Sequence, residues 1–561
     1  MSAPSQPTGG QILVDSLIQH GITDIFLIPG IQLDWAVDAL RQRQDAIRLF
    51  VPRHEQSTTY MADGYYRASG RVGTAMVVPG PGALNAGAGL ATAYAANSKV
   101  LFVAGQVHAG GVGKGYGLLH EIKDQTGFVA GLTKAHHFVH SADQIASSMA
   151  QAFAHLQSGR PRPVGVEVPH NYLSTRLAAM PDTTPLPAEP TVEPDRQSLE
   201  QAARLLNEAR LPVVYVGGGI VSANAGDALR ELAEKIGAPV VMSDNGRGAL
   251  SDRHPLAMNS LAGRAVFQHA DVVLVIGSRF MDSLTPTASW TAPGVRYIYL
   301  NIDAADLSAP RTPEVAIVAD AALALPALTD RLQPRQALST SQLQAVQQWA
   351  NDQIAQVQPQ ASFITAIRDT MADDAIFVNE LTQVGYLARV AFPVYAPRTY
   401  IGPGYQGTLG YAFPTALGAA VAAGGKRVVA VSGDGGFGWS LQELATARRY
   451  QLPVTLIVFN DGHYGNVRAI QKREFGAEVA VELTNPDFDL LARAFGVDYA
   501  RADTPDALRG ALRAANGQAG PALIEVKLGE MPSPWHLLRL QPMAGMGSQT
   551  APANPLGAPR A

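Results

Sequence analysis

The chain has 561 residues, and this length predicts roughly three or four domains. Hydrophobic residues make up 47% and charged residues 16%, which excludes a disordered chain, and a net charge of −4 argues against a nucleic-acid partner. Cysteine is absent, so disulfides, thiolate metal sites and a catalytic cysteine are excluded, and a cytoplasmic location is expected. We find no signal peptide pattern and no segment apolar enough for a membrane helix, so no membrane partner is expected.

Two linkers divide the chain in this interpretation. Residues 180–197 contain five prolines and no periodic apolar pattern, and residues 333–342 form a second, less distinct linker. The expected domains therefore span 8–178, 196–330 and 345–530. The remaining segment, 531–561, is rich in proline, glycine and alanine, and we expect a flexible tail or a lid over a site.

Short apolar runs that end at glycine or proline alternate with amphipathic segments along the whole chain. Such runs predict buried strands, and their alternation with helices predicts mainly parallel sheets covered by helices. The expected fold class is α/β, with three domains in series and ligands at the carboxyl ends of the strands. In chain order the predicted strands are DIFLIPG, TAMVVPGPG, KVLFVAGQ, PVGVEVP, PVVYVGGG, PVVMSDN, DVVLVIGSRF, VRYIYLNID, AIFVNE, RVVAVSGDGG, VTLIVFND and ALIEVKL.

The sharpest motif is GDGG at residues 433–436, where a predicted strand leads into a helix. Glycines allow close approach of the backbone to a ligand, and helix N–H groups bind phosphate. The next strand ends at Asn460 and Asp461, and Asp461 lies 27 residues after Asp434. Neighbouring parallel strands would present both carboxylates at one edge, which suits Mg²⁺ bridging a diphosphate. Two ordinary turns at strand ends are the alternative interpretation.

With this spacing, GDG followed by Asn-Asp resembles the thiamine-diphosphate motif, and the resemblance extends over most of the chain. It points to the family of acetolactate synthase, pyruvate oxidase and benzoylformate decarboxylase. The resemblance implies a pyrimidine-binding domain, a Rossmann-like central domain and a diphosphate-binding domain. It also implies that Asp434, the side chain of Asp461 and the backbone carbonyl of His463 hold Mg²⁺. The family usually carries Asn where this chain has Asp461.

Further residues are assigned to the cofactor by the same resemblance. The segment GHYGNV resembles one that closes over the diphosphate, the loop at Thr382 resembles one that contacts it, and Leu409 falls where an apolar wedge bends the cofactor. A tightly packed Gly/Ala-rich helix is the alternative interpretation of the segment from Gly402 to Ala420. The expected cofactor-binding residues are Gly30, Glu55, Asn85, Thr382, Gln383, Gly407, Leu409, Gly433, Asp434, Gly435, Gly436, Asp461, His463, Tyr464, Gly465 and Asn466.

Glu55 is the expected activating carboxylate. It follows the strand LFVP and begins a helix, and the surrounding segment resembles the family's RHE…ADGYAR sequence. In that family a carboxylate hydrogen-bonds the aminopyrimidine and promotes the tautomer that removes the C2 proton. Considered alone, Glu55 is an ordinary glutamate that the helix dipole stabilises. The distant GDG motif favours the catalytic interpretation.

The predicted substrate pocket depends on His120, which falls where many relatives carry a glutamine facing the substrate. It could donate to a substrate carboxylate or shuttle a proton, and a structural or exposed histidine is the alternative. Ile31 and Val78 depart from the serine and histidine of benzoylformate decarboxylase-like members, which argues against that active site. FAD would suit the central domain, but the Met281-Asp282-Ser283 continuation does not match the acetolactate synthase pattern and gives FAD no support.

These features predict a thiamine-diphosphate- and Mg²⁺-dependent enzyme that cleaves or forms C–C bonds on a 2-oxo acid or 2-hydroxyketone. An acetolactate synthase-like carboligase is favoured, and a non-oxidative decarboxylase or lyase is the alternative. A dinucleotide-dependent oxidoreductase would need a G-x-G-x-x-G opening a helix, which no segment matches well. A non-catalytic relative is disfavoured by Glu55. The resemblance also implies a homodimer or homotetramer.

Overall fold

A computed structural model of the protein describes residues 6–187, 189–281, 291–308, 311–538 and 552–558. Within these ranges the strands form three six-stranded sheets in which every pairing is parallel. The α/β class predicted from the alternating pattern is confirmed.

The first sheet has the strand order β2-β1-β3-β4-β6-β5. Its strands are β1 (Asp24–Leu27), β2 (Arg48–Phe50), β3 (Gly73–Val77), β4 (Val100–Gln106), β5 (Ala135–Phe138) and β6 (Val164–Pro169). The helices around it are α1 (Gly9–Gln19), α2 (Asp34–Gln42), α3 (Glu55–Ser69), α4 (Pro81–Ala96), α5 (Gln125–Gly131), α6 (Ile145–Gln157) and α7 (His170–Ser174).

The second sheet has the order β12-β11-β10-β7-β8-β9, which is the Rossmann order that the resemblance implied. Its strands are β7 (Pro212–Val216), β8 (Val240–Met242), β9 (Ala257–Met258), β10 (Val272–Ile276), β11 (Arg296–Asn301) and β12 (Val315–Val318). The helices are α8 (Arg196–Glu208), α9 (Gly218–Ser222), α10 (Gly226–Ile236), α11 (Ser260–Phe267) and α12 (Ala321–Thr329).

The third sheet has the order β14-β13-β15-β16-β18-β17, so its topology repeats that of the first sheet. Its strands are β13 (Ile376–Asn379), β14 (Tyr400–Ile401), β15 (Val428–Gly433), β16 (Val454–Asn460), β17 (Asp498–Arg501) and β18 (Ala522–Lys527). The helices are α13 (Thr340–Ala355), α14 (Gln360–Arg368), α15 (Gln383–Ala391), α16 (Ala412–Ala422), α17 (Asp434–Phe437), α18 (Leu444–Arg449), α19 (Gly465–Phe475), α20 (Phe488–Phe495), α21 (Pro505–Asn516) and α22 (Trp535–Leu538).

The units built on the first and third sheets meet where α3 packs on α16. The two helices cross closely because glycines remove side chains at the contact. A Cβ added to Gly64 would lie 2.0 Å from the carbonyl oxygen of Thr415, and one added to Gly418 would lie 1.9 Å from that of Met61. The packing interpretation of the Gly/Ala-rich segment is therefore correct for α16, and this contact places the start of α3 beside the third-sheet unit.

Candidate active site

A cavity of about 400 Å³ lies at the carboxyl edge of the third sheet. Residues of the loops after β13, β15 and β16 line it, as expected for parallel strands. The structure brings most of the predicted cofactor residues together here: Thr382, Gln383, Gly407, Leu409, Gly433, Asp434, Gly435, Gly436, Asp461, His463, Tyr464, Gly465 and Asn466. The cavity also receives Met531, from the segment that the sequence predicted as a tail or lid.

Two carboxylates lie at the ends of neighbouring strands in this cavity. Asp434 follows β15 and is only 3% exposed, and burial raises the pKa of its carboxyl group. Asp461 follows β16; burial and then the nearby Asp434 charge raise its pKa to about 6. The backbone N–H of His463 donates to Asp461 Oδ1 over 3.0 Å. A divalent cation would relieve the repulsion between two such carboxylates.

Asn485 is a residue of this site that the sequence did not reveal. Its side-chain Nδ2 donates to Asp434 Oδ2 at 2.6 Å and to Asn460 Oδ1 at 3.1 Å. The backbone N–H of Gly462 donates to the same Asp434 oxygen at 3.0 Å. Asn485 lies in a loop before α20, in the segment TNPDF, where neither hydrophobic period nor strand ending marks it. These contacts fix the orientation of the Asp434 carboxylate.

Three helices begin at the cavity: α15, α17 and α19. None has a side-chain hydrogen bond at its N-cap, although the Gly435 N–H at the start of α17 already donates to the Asp434 carboxyl group. Gln383 Oε1 is also buried without a hydrogen-bond partner among the described residues. Uncapped helix starts beside paired carboxylates fit a diphosphate bound together with a divalent cation.

Glu380 is a second residue whose role the sequence did not show. It is fully buried at the end of β13, and burial raises its pKa to about 7. Its carboxylate accepts hydrogen bonds from the backbone N–H groups of Gly410 (3.0 Å) and Tyr411 (3.2 Å), and from the hydroxyl of Ser432. Glu380 thereby ties the segment that carries Gly407 and Leu409 to the strand that carries Asp434.

The other predicted residues lie at the carboxyl edge of the first sheet. Glu55 begins α3, and its Oε2 accepts a hydrogen bond of 3.0 Å from Asn85 Nδ2. His120 adopts a left-handed backbone conformation with φ of 67°, and its Nδ1 lies 3.0 Å from Gln32 Oε1. A Cβ added to Gly30 would lie 2.5 Å from Val78 Cγ1. Within the described ranges, Gly30, Glu55, Asn85 and His120 do not line the third-sheet cavity.

The start of α22 packs against two residues that line the cavity. The Trp535 indole N–H donates to Asn466 Oδ1 at 2.7 Å, and its ring packs on Tyr386 with centroids 4.7 Å apart. Arg264 of the second-sheet unit donates to the backbone carbonyls of His536 and Leu537. Residues 532–538 therefore pack across two units; of the rest of the predicted tail, 539–551 and 559–561 lie outside the described residues.

Glycines in the segments that follow β7 and β10 contact each other. A Cβ on Gly219 would lie 2.6 Å from the Cα of Gly277, and one on Gly217 would lie 2.3 Å from the Gly277 carbonyl oxygen. This close contact between the segments that follow two strands explains why glycines occur there. No bound dinucleotide is needed to explain them. Asp282 and Ser283, on which the FAD comparison partly depended, lie outside the described residues.

Three family models match the chain in the order of its three sheets. They describe the N-terminal TPP binding domain, central domain and C-terminal TPP binding domain of thiamine pyrophosphate enzymes, at residues 7–128, 199–328 and 382–526. The chain belongs to the thiamine pyrophosphate enzyme family. The resemblance deduced from the GDG motif is confirmed, and the family uses thiamine diphosphate with Mg²⁺.

Similar proteins in the family catalyse two kinds of reaction, according to their names. A probable 2-ketoarginine decarboxylase of Pseudomonas aeruginosa is 33% identical over 539 residues, covering 93% of this chain and 95% of that protein. The large subunit of acetolactate synthase isozyme 3 of Escherichia coli is 32% identical over 513 residues, covering 87% and 88%. An acetolactate synthase of Mycobacterium bovis is 33% identical over 521 residues, covering 88% and 83%.

The chain is therefore a thiamine-diphosphate-dependent enzyme of the carboligase or decarboxylase type, as the sequence predicted. Substrates of the 2-oxo acid class are consistent with these similar proteins. Among the described helices, we find none with the length and hydrophobicity required to cross a bilayer.

Proposed function

We propose that this enzyme is an acetolactate synthase-like carboligase, which joins the carbon skeleton of a 2-oxo acid to a second carbonyl compound. The observation that supports this choice is the apolar wall of the cavity, formed by Leu381, Leu409, Val467, Leu528 and Met531. An apolar wall limits access of water and of proton donors to the reacting carbon. Transfer to a second carbonyl is then favoured over protonation.

In this proposal Asp434, Asp461 and the carbonyl oxygen of His463 hold Mg²⁺. The described residues contain no group of three His, Asp or Glu side chains that could hold a metal ion by themselves. A hard divalent cation needs about six oxygen ligands, and the diphosphate would supply some of those that are missing. Metal and cofactor should therefore bind together.

Bound thiamine diphosphate supplies the carbon nucleophile that attacks the substrate carbonyl. The remaining tasks belong to the protein. Glu55 would hold and exchange a proton beside the aminopyrimidine, Leu409 would pack against the cofactor as an apolar wedge, and the Gly407 carbonyl would accept a hydrogen bond from its amino group. His120 handles protons on the substrate side. The first N–H groups of α15 and α19 would bind the diphosphate.

We further propose that the active site is shared between two copies of the chain, in a homodimer or homotetramer. Two observations support this assembly: Glu55 and His120 lie outside the third-sheet cavity, and large apolar side chains are exposed at both edges. Leu409 is 43% and Val467 48% exposed in the single chain, and Ile31 is 65% exposed near Gly30. Light scattering should give at least twice the chain mass, and a monomer that turns over substrate would contradict the shared site.

The decisive assay uses purified protein that has been stripped of cofactor and resupplied with thiamine diphosphate and Mg²⁺. Pyruvate, benzoylformate and glyoxylate are offered, and carbon dioxide, aldehyde and hydroxyketone are quantified. Cofactor-dependent hydroxyketone is the expected product. Turnover that gives aldehyde alone would contradict the carboligase proposal.

A 2-oxo acid decarboxylase is the second candidate, and His120 is the observation that favours it. An imidazole beside the reacting centre could deliver the proton that a decarboxylase adds to its product. The probable 2-ketoarginine decarboxylase covers this chain as fully as the acetolactate synthases do. Aldehyde formation that falls in His120→Gln, with no hydroxyketone from either protein, would support this candidate.

A further inference from the structure

We infer that Gln32 is a positioning residue that fixes the tautomer of the His120 side chain, leaving Nε2 as a proton acceptor. The inference rests on the role proposed above for His120 in handling protons. Gln32 lies in a short 3₁₀ helix (Ile31–Leu33) after β1 and His120 in the loop before α5, so the pair joins two separate segments at the carboxyl edge of the first sheet.

The hydrogen bonds of Gln32 determine which way its amide faces. Gln32 is buried, with 6% of its surface exposed. Its Nε2 lies 3.1 Å from the backbone carbonyl oxygen of Leu119. A carbonyl oxygen only accepts hydrogen bonds, so the amide nitrogen must face Leu119. The amide oxygen Oε1 consequently faces His120.

This orientation decides where the imidazole carries its proton. Nδ1 of His120 lies 3.0 Å from Gln32 Oε1. Because an amide oxygen can only accept, Nδ1 must be the protonated nitrogen of the neutral ring. Nε2 is then the nitrogen with a free lone pair, and within the described ranges no residue forms a hydrogen bond with it. The neutral ring therefore presents a proton acceptor.

The backbone of His120 is held independently of its ring. Its carbonyl oxygen packs against Gly80, where an added Cβ would lie 2.2 Å away. The N–H of Gly80 donates to Gln125 Oε1 at 2.7 Å, and Gln125 Nε2 donates to the Gly105 carbonyl at 2.9 Å. These contacts hold the loop, whereas the hydrogen bond from Gln32 determines the ring's orientation and tautomer.

The proton balance of the step is simple. Nε2 accepts the proton of a substrate-derived hydroxyl group, and the O–H electron pair forms the C=O bond. A C–C bond at the same carbon breaks, and its electron pair leaves with the carbon nucleophile that the bound cofactor would supply. The ring becomes a cation with both nitrogens protonated, and loss of the Nε2 proton to water restores the starting tautomer. With the proton on Nε2 instead, the neutral ring would face the substrate with a donor and could not accept this proton.

The first test is nitrogen NMR of the full chain labelled with ¹⁵N-histidine, at a pH where His120 is neutral. Subtraction of the His120→Gln spectrum identifies the His120 signals. We expect a protonated Nδ1 and a bare Nε2 in the wild type and in Gln32→Glu, which keeps an acceptor. In Gln32→Met, which keeps similar volume without an acceptor, the Nε2-protonated form should predominate. A wild-type ring protonated on Nε2, or a Gln32→Met ring that does not change, would overturn the inference.

The second test is kinetic and uses the holoenzyme. Gln32→Met should lower kcat about tenfold with little change in KM. This loss is smaller than the factor of about 10² to 10⁴ that a general acid–base group itself contributes, because the imidazole remains. The double variant Gln32→Met/His120→Gln should have the same kcat as His120→Gln alone, because Gln32 acts through His120. A further loss in the double variant would show a general structural role and contradict the inference. Absence of any cofactor-dependent turnover would count against the proposed function, and the NMR experiment would still decide the role of Gln32.

Discussion

The first and third sheets have the same strand order but differ at their carboxyl edges. The third-sheet edge encloses a cavity with paired carboxylates, uncapped helix starts and Glu380. The first-sheet edge carries Glu55, Asn85 and His120, and these residues do not line the third-sheet cavity. One topology thus supports two tasks, because strand order determines which loops are neighbours while the loop residues determine the chemistry. Under the function proposed above, the third-sheet edge binds the cofactor and the first-sheet edge transfers protons.

The largest effect is expected at Glu55. Glu55→Gln should slow exchange of the cofactor C2 proton by about 10² to 10⁴, because the carboxylate proposed to exchange a proton with the aminopyrimidine is lost. Thiamine diphosphate affinity should change little, since Glu55 lies outside the third-sheet cavity. Exchange is measured by quenched-flow NMR and affinity by calorimetry. Exchange at the wild-type rate would refute the assignment, and Glu200→Gln, on the exposed face of α8, serves as the control.

At the other edge, Asp434→Ala should have the opposite pattern. We expect thiamine diphosphate and Mg²⁺ to bind about a hundredfold more weakly, since a carboxylate proposed to hold the metal is removed, together with the hydrogen bonds that it accepts from Gly462 and Asn485. Calorimetric titration of each component in the presence of the other measures this loss. Normal affinity combined with slow chemistry would show that the two edges do not divide the tasks in this way.

Glu380 supplies a prediction about pH. Burial raises its pKa from an ordinary value of 4.5 to about 7 in the folded chain, so the folded chain retains a proton that the unfolded chain loses. Its contribution to stability is therefore greatest below pH 4.5 and falls as the pH rises towards 7, by about 3 kcal/mol at most. Glu380→Gln cannot ionise, so its stability relative to the wild type should increase from pH 5 to pH 8. Denaturant unfolding at both pH values measures this difference, and an unchanged difference would contradict the buried, protonated carboxyl group.

The smallest effect is expected at the edge of the cavity, where Trp535 contacts Asn466. Trp535→Phe removes the indole N–H donor but keeps the ring that packs on Tyr386. The loss of one hydrogen bond corresponds to about 1 kcal/mol, so thiamine diphosphate affinity should fall about fivefold. Fluorescence or calorimetric titration measures it. Trp349→Phe, on α13 and away from the cavity, is the matched control and should leave affinity unchanged.

The central strands were predictable from sequence, whereas the edge strands were less so. Strands such as β4 and β16 are buried along their whole length and appear as unbroken apolar runs. The edge strand β5 contains His136 and His137 and is half-buried. Positions in β12 alternate between buried and exposed, and those in β17 are exposed or half-buried. A strand with one sheet neighbour keeps polar side chains, and its pattern is therefore weak.

The same contrast applies to the site. Residues that follow a strand within a recognisable motif, such as Asp434 and Asp461, could be located because neighbouring parallel strands end at one edge. Asn485 and Glu380 were missed because their roles depend on contacts with Asp434 and with Gly410 and Tyr411, which lie far away along the chain. No local pattern encodes such contacts.

The sequence by itself determined the α/β class, the buried strands, the enzyme family and its cofactor, because these depend on hydrophobic periodicity and on glycine–carboxylate motifs at strand ends. Only the tertiary structure decided that Glu380 joins two loops, that Asn485 orients Asp434, and that Gln32 faces His120. The reason is physical: these features are hydrogen bonds between distant segments, and their geometry exists only after the sheets and helices have packed together.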